Sequence, residues 1–197
     1  MYESCIKRLL DLILSLAACV VLAIPMGIIA LWIKKDSPGP VFFKQRRVGR
    51  GKKCFNILKF RTMRGDTPHD VPTHLLKNAD SYITKSGAFL RRTSLDELPQ
   101  IYNILKGDMS IVGPRPERPE LAAELEKEIP EFSFRLQVKA GLTGYAQVYG
   151  KYNTTPYDKL KLDLTYIRNY SVLEDLKLII MTPKIMLMKE STEGVKE

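Results

Sequence analysis

Between Leu12 and Ile33 the chain carries 22 residues with no charge and one hydroxyl, Ser15. A run of that length is long enough for a membrane helix. It is too long for a signal peptide, and no small-residue cleavage site follows it. Pro25 divides the run into 13 residues before and 8 after. At ~1.5 Å per residue these arms reach about 20 and 12 Å, and neither crosses a ~30 Å hydrocarbon core alone. The flanks are basic on both sides, Lys7 and Arg8 before and Lys34 and Lys35 after. Basic flanks favour the cytoplasmic side, and one straight span cannot put both ends there. The pattern therefore predicts a helix that enters, breaks at Pro25 and returns. A Pro-kinked span with a weak charge bias is the alternative, since Pro is tolerated within membrane helices.

Charge sharpens the picture. The formal net charge of +9 is concentrated, because Lys34 to Arg61 holds ten Lys or Arg and one acid, Asp36. Such a patch seeks phosphate, whether on nucleic acid, an anionic membrane surface or a phosphorylated substrate. At 197 residues the chain is long enough for one domain with its own core. The three cysteines, Cys5, Cys19 and Cys54, are scattered and odd in number, which fits a reducing compartment rather than a disulfide framework or a zinc site. His69 and His74 sit in a Pro-rich stretch, residues 65–80, that reads as a surface loop or mobile lid.

Asp36-Ser37-Pro38-Gly39-Pro40 is a stop and turn. Val41-Phe42-Phe43 and Phe55 to Phe60 then flank a basic, Gly-containing loop, Arg46 to Lys53, and suggest a hairpin. Lys59-Phe60-Arg61-Thr62-Met63 alternates basic and apolar residues and would aim Lys59 and Arg61 at one face. The densest chemistry lies in Arg91-Arg92-Thr93-Ser94-Leu95-Asp96-Glu97-Leu98-Pro99-Gln100. Ser94-x-x-Glu97 has the form of a capping box, and Pro99 would mark either the fifth or the first helical position. In both cases Asp96 and Glu97 sit near a positive helix end, which favours the ionised carboxylate. An ionised Asp can act as nucleophile while a neighbouring carboxylate holds a divalent cation. A surface charge pair at a helix cap is the plainer explanation of the same ten residues.

Further along, Lys106 to Ser110 stops a helix, and Gly113-Pro114-Arg115-Pro116 frames one guanidinium in a rigid turn suited to phosphate. Glu117 to Glu131 reads as an exposed amphipathic helix, and Gly141-Leu142-Thr143-Gly144 as a small-residue turn able to offer backbone N–H groups. Tyr157 to Asn169 has a helical pattern with Leu160, Leu164 and Ile167 on one side. A last helix, with Leu173, Leu176, Ile180 and Leu187, is interrupted at Pro183 and would suit a bilayer surface. The fold class that follows is α+β and mainly helical: a re-entrant membrane helix over residues 1–35, a catalytic domain with a small hairpin and amphipathic interfacial helices over 36–190, and a flexible tail over 191–197.

Taken together these stretches resemble the monotopic phosphoglycosyl transferases, the bacterial sugar transferase family, in its small catalytic-domain form. The resemblance rests on Lys59 to Met63, Ser94 to Gln100, Asn103 to Ser110, Gly113 to Pro116, Gly141 to Gly144 with Ala146-Gln147-Val148, and Asp163 through Tyr166 to Asn169, in family order. It implies transfer of a phosphosugar from a UDP-sugar to a membrane polyprenol phosphate with release of UMP and a requirement for Mg²⁺. It further implies that Asp96 attacks the sugar-linked β-phosphate, that Glu97 with Asp96 positions the metal, and that Arg91, Arg115, Lys59, Arg61, Thr143 and Gln147 bind substrate or phosphate. The expected setting is the cytoplasmic face of a bacterial inner membrane, with UDP-sugar, polyprenol phosphate and phospholipid as partners, no nucleic acid, and downstream glycosyltransferases receiving the product. Two positions depart from the family: Ile24-Pro25 stands where Ser-Pro is common, and Ala140 where Pro often precedes Gly141. A membrane-anchored module binding nucleic acid or acidic lipid would also explain the basic patch, and a Mg²⁺-dependent phosphohydrolase would use the same carboxylates.

Overall fold

The structure, a computed structural model, describes residues 5–68, 79–151 and 153–186. The expected loop at 65–80, with both histidines, therefore lies largely outside the described residues, as do Leu187 and the tail. The described part is mainly helical, as the sequence predicts, with two small sheets where the sequence predicts one hairpin.

Helix α1 runs over Lys7–Asp36 without interruption, and Pro25 lies inside it. The expected break is not seen as an end of helical structure. Pro25 removes one backbone donor there, but the hydrogen bonds on either side keep the helix going. Both ends of α1 rest on the same body. At the N-terminal end the Lys7 ammonium pairs with Asp175 and lies 3.1 Å from the Tyr166 hydroxyl. Arg8 donates to the carbonyls of Ile104 and Leu105 at 2.6 and 2.8 Å, and Asp11 accepts from the Ser110 hydroxyl and the Ile111 N–H at 3.0 and 2.9 Å. At the other end Ile29 and Ile33 pack with Phe60 and Leu90, and Asp36 accepts from the Ser86 N–H and hydroxyl at 2.8 and 2.7 Å. Between these anchors Val20, Val21 and Ile24 are each about three-quarters exposed. That outward face is far more apolar than a water-facing helix carries.

The hairpin forms as expected, but its first strand is longer. Strand β1, Phe42–Val48, pairs antiparallel with β2, Cys54–Phe60, so Arg46 and Arg47 belong to the strand rather than the loop. Helix α2, Lys85–Thr93, is capped by Thr84, whose hydroxyl accepts from the Gly87 N–H. Ser94 then takes the left-handed conformation (φ 55, ψ 16); its backbone N–H closes α2 on the Arg91 carbonyl, and its side chain makes no capping bond. The capping box is thus not formed: Ser94 ends one helix instead of opening the next. A short 3₁₀ turn, Leu95–Glu97, and Pro99 lead into α3, Gln100–Lys106. Pro99 stands at the helix entrance, where its missing N–H costs nothing. Gly107, at φ 97, closes α3 in a conformation that glycine takes without strain.

Strand β3, Met109–Val112, pairs parallel with β4, Ala140–Thr143. The stretch expected to be a small-residue turn is therefore a strand. Glycine is required at 141 by close approach, since a Cβ there would lie 2.1 Å from the Gly113 nitrogen. The parallel pair needs a crossover. It is supplied by α4, Pro119–Glu128, and a 3₁₀ segment, Pro130–Gln137. Helices α5, Tyr145–Tyr149, α6, Pro156–Asn169, and α7, Val172–Met186, complete the body. In α6 the buried side is Leu160, Asp163 and Tyr166. Helix α7 continues through Pro183, and its Leu173 and Ile180 are about three-quarters exposed.

Candidate active site

Two separate elements converge on the turn at Asp96-Glu97. Strand β2 brings Lys59, whose Nζ lies 2.7 Å from Glu97 Oε1. The rigid turn after β3 brings Arg115, whose guanidinium grips both carboxylate oxygens of Glu97, with Nη1 at 3.0 Å from Oε2 and Nη2 on Oε1. This fork-to-fork arrangement is the strong form of a charge-assisted bond. Burial opposes ionisation of Glu97, but Arg115 and Lys59 overcome it and hold its carboxyl well below the usual range. Arg115 is held correspondingly more firmly protonated by Glu97.

Asp96 is different. Among the described residues its carboxylate accepts no hydrogen bond. It faces a cavity of about 460 Å³ lined also by Arg47, Lys59, Arg61 and Arg91. Burial pushes the Asp96 carboxyl up from its ordinary value; Lys59 pulls it back, and the neighbouring Glu97 charge pushes it further up. The sequence led us to expect both carboxylates to be biased towards ionisation. The structure gives that bias to Glu97 and leaves Asp96 as the free group of the pair.

The remaining predicted residues divide. Arg91 lines the same cavity and is held by the Thr62 hydroxyl, which accepts from its Nε at 2.9 Å. Arg61 also borders the cavity, but its guanidinium closes the turn after α1, donating to the carbonyls of Pro40 and Ser37 at 2.6 and 2.9 Å and to the Ser37 hydroxyl at 2.7 Å. Thr143 is buried and shares a 2.7 Å hydrogen bond with Thr182 on α7. Gln147 has both side-chain amide atoms buried without a partner among the described residues, near Gly144. Neither Thr143 nor Gln147 lines the cavity at Asp96.

Two supporting residues escaped sequence reasoning. Arg135, 5% exposed, pairs with the buried Asp163 through its Nε at 2.9 Å and its Nη2 at 2.6 Å. The same Nη2 donates to the Arg115 carbonyl at 2.9 Å, while Arg47 donates to the Pro116 carbonyl at 3.0 Å. Together they fix the backbone on either side of the guanidinium that grips Glu97. Arg135 sits in Phe134-Arg135-Leu136, a setting with no motif to mark it.

Among the described residues no group of three His, Cys, Asp or Glu side chains could hold a metal ion. A hard dication bound through one or two carboxylates and the phosphates of a substrate needs no such cage. The unengaged carboxylate of Asp96, with Glu97 next to it, fits that kind of site.

Comparison with known proteins shows the family. Residues 2–189 match the family described as bacterial sugar transferase. A UDP-glucose:undecaprenyl-phosphate glucose-1-phosphate transferase from Xanthomonas campestris pv. campestris is 45% identical over 181 residues, covering 89% of this chain and 37% of that protein. The exopolysaccharide production protein PSS of Rhizobium leguminosarum bv. phaseoli is 41% identical over 199 residues, covering 96% of both. A UDP-N-acetylgalactosamine-undecaprenyl-phosphate N-acetylgalactosaminephosphotransferase from Aeromonas hydrophila is 37% identical, covering 92% of this chain and 44% of that protein. The chain thus spans less than half the length of several relatives it matches, and nearly the whole of another. With the match running from the start of α1 to beyond the end of α7, the chain belongs to the bacterial sugar transferase family.

Proposed function

We propose that this chain transfers a sugar 1-phosphate from a UDP-sugar to undecaprenyl phosphate or a similar polyprenol phosphate, with Asp96 as a covalent nucleophile. The observation that carries the reading is the contrast within one dipeptide. Glu97 is engaged by Arg115 and Lys59, whereas Asp96 keeps a free carboxylate facing a basic cavity. In the first step an Asp96 oxygen attacks the sugar-linked β-phosphorus. The bond from that phosphorus to the bridging oxygen breaks, and UMP leaves with the oxygen. In the second step an oxygen of the lipid phosphate attacks the same phosphorus and expels Asp96. The product is a polyprenyl diphosphate sugar, a substrate for downstream glycosyltransferases.

One carboxylate nucleophile divides a difficult phosphoryl transfer into two in-line displacements. Arg91, Lys59 and Arg47 balance phosphate charge in the cavity, and Arg115 keeps the Glu97 carboxylate in place. Glu97 and Asp96 would hold Mg²⁺, which, when bound, neutralises diphosphate charge. The names of the relatives, which pair UDP-sugars with undecaprenyl phosphate, support the substrate classes. The basic patch needs no nucleic acid to explain it, because Arg47 and Lys59 line the cavity that Asp96 faces.

We further propose that α1 enters the cytoplasmic leaflet of a bacterial inner membrane and does not cross it. Both of its ends are fixed to one globular body by polar bonds, which a spanning helix would have to break. A panel of UDP-sugars with and without polyprenol phosphate, scored by UMP release, tests the function. Lipid-dependent turnover with at least one sugar is expected. Sustained release of free sugar phosphate without lipid would make the chain a hydrolase.

A further inference from the structure

A lipid phosphate must reach Asp96 while its hydrocarbon chain stays out of water, so the chain needs an apolar route from the membrane helix to the catalytic turn. The structure holds a groove of about 600 Å³ that meets this need. Its lining includes Cys19 and Met26 from the middle of α1, Leu58 from β2, and Leu98, Ile101 and Tyr102 around the start of α3. Cys19 and Met26 belong to the stretch of α1 whose outward side chains are the most exposed apolar residues of the helix. At the opposite end Leu98 follows Glu97 directly in the chain.

The hairpin separates this groove from the catalytic cavity. Side chains alternate between the faces of a strand, and directly paired residues share a face. Lys44 pairs with Leu58 and Arg46 with Asn56, and Lys44, Leu58 and Asn56 line the groove. Phe43 pairs with Lys59, and both, with Gln45 and Arg47, line the cavity of Asp96. Phe42, at the strand end, borders both spaces, its ring stacked on Phe60 at 5.5 Å between centroids.

We propose that this groove seats the first isoprenoid units of the lipid acceptor, so that its phosphate passes Phe42 to reach Asp96. The inference rests on the function proposed above and adds where the acceptor lies. Continuity argues for the acceptor over a bulk phospholipid. The groove is continuous with the membrane-facing side of α1 at one end and meets the catalytic cavity at Phe42 at the other. A resident phospholipid would bring its headgroup to the place where the acceptor phosphate must react. Affinity would come from burying hydrocarbon, which is additive along the chain.

The full chain in lipid nanodiscs tests this. Cys19→Trp fills the groove from the membrane side. The expected result is a rise of about tenfold or more in KM for undecaprenyl phosphate, with KM for the UDP-sugar within about twofold, since only acceptor binding is touched. An unchanged KM for the lipid, or an equal rise for both substrates, would overturn the proposal. A second measurement needs neither a tolerated Trp nor turnover. With Cys5→Ser and Cys54→Ser, Cys19 is the sole cysteine, and its rate of maleimide labelling is followed. Undecaprenyl phosphate should slow labelling, and an equal amount of phosphatidylglycerol should not. No protection, or equal protection by both lipids, would assign the groove to nothing or to bulk phospholipid and defeat the inference. A wild-type chain that releases UMP from no UDP-sugar would instead count against the proposed function, while the labelling would still decide the groove.

Discussion

Asp96 and Glu97 are adjacent and chemically alike, yet their surroundings give them different work. Glu97 is fixed by two cations, and Asp96 is half-buried and open to the cavity. Asp96→Asn keeps the volume and removes the proposed nucleophile, so turnover should fall by at least about a hundredfold, or ~3 kcal/mol of transition-state stabilisation. The protein should stay folded and membrane-bound. Substantial activity with a lowered thermal midpoint would point to a structural role instead. The titration of Asp96 carries a second prediction. Burial raises its pKa above the ordinary aspartate value and Lys59 is the chief cation lowering it, so Lys59→Met should raise it further. In the proposed mechanism the ionised form attacks, so the acidic limb of the residual pH–rate profile should move to higher pH. A limb that stays or moves down would contradict that assignment. At this scale much of the site was legible in the sequence, because Asp96, Glu97, Arg115 and Lys59 stand in compact motifs with a physical signature. Arg61 was legible only in part: alternation places it with Lys59 beside the cavity, but does not reveal that carbonyls of a preceding turn will occupy its guanidinium. Arg135 was invisible, since its partners Asp163 and the Arg115 carbonyl lie 28 and 20 residues away.

Among the elements, α1 carries the most consequence. Local signals read its apolar run and basic flanks correctly, but the break expected at Pro25 is not an interruption of the helix. What ties both ends to the globular body is tertiary: Lys7, Arg8 and Asp11 at one end, and Asp36 with Ile33 at the other. In intact cells a membrane-impermeant thiol reagent should therefore reach neither Cys5 nor a cysteine introduced by Ser37→Cys, and permeabilisation should expose both. Labelling of only one from outside would restore a spanning helix. The hairpin was legible from alternation. The parallel pair β3–β4 was not, because four-residue strands containing Gly141 look like a turn until their partner is known. The crossover between them is tied to α6 by Arg135 and Asp163, whose side chains are only 5% and 1% exposed. Removing one member strands a buried charge, so Arg135→Met should destabilise the fold by about 3–5 kcal/mol, read by thermal unfolding in detergent. Adding Asp163→Leu should recover a good part of the loss. Fully additive losses would show that the two side chains do not act as a pair.

Seen whole, the molecule gathers its excess positive charge after the long apolar helix and turns part of it into a cavity that the Asp96 carboxylate faces. The hairpin that carries much of this charge stands between that cavity and the apolar groove, so the two substrates of the proposed reaction would have separate approaches to Asp96. That arrangement suits sequential use of the two substrates through a covalent intermediate, for which the lipid need not be present in the first step. Intact-protein mass spectrometry tests this most directly. The purified chain is mixed with Mg²⁺ and UDP-glucose or UDP-N-acetylgalactosamine in the absence of lipid, then quenched. The expected result is a protein heavier by one sugar phosphate with a matching amount of UMP, and neither with Asp96→Asn. UMP that forms only when polyprenol phosphate is added, with no adduct on the protein at any time, would contradict the covalent role of Asp96.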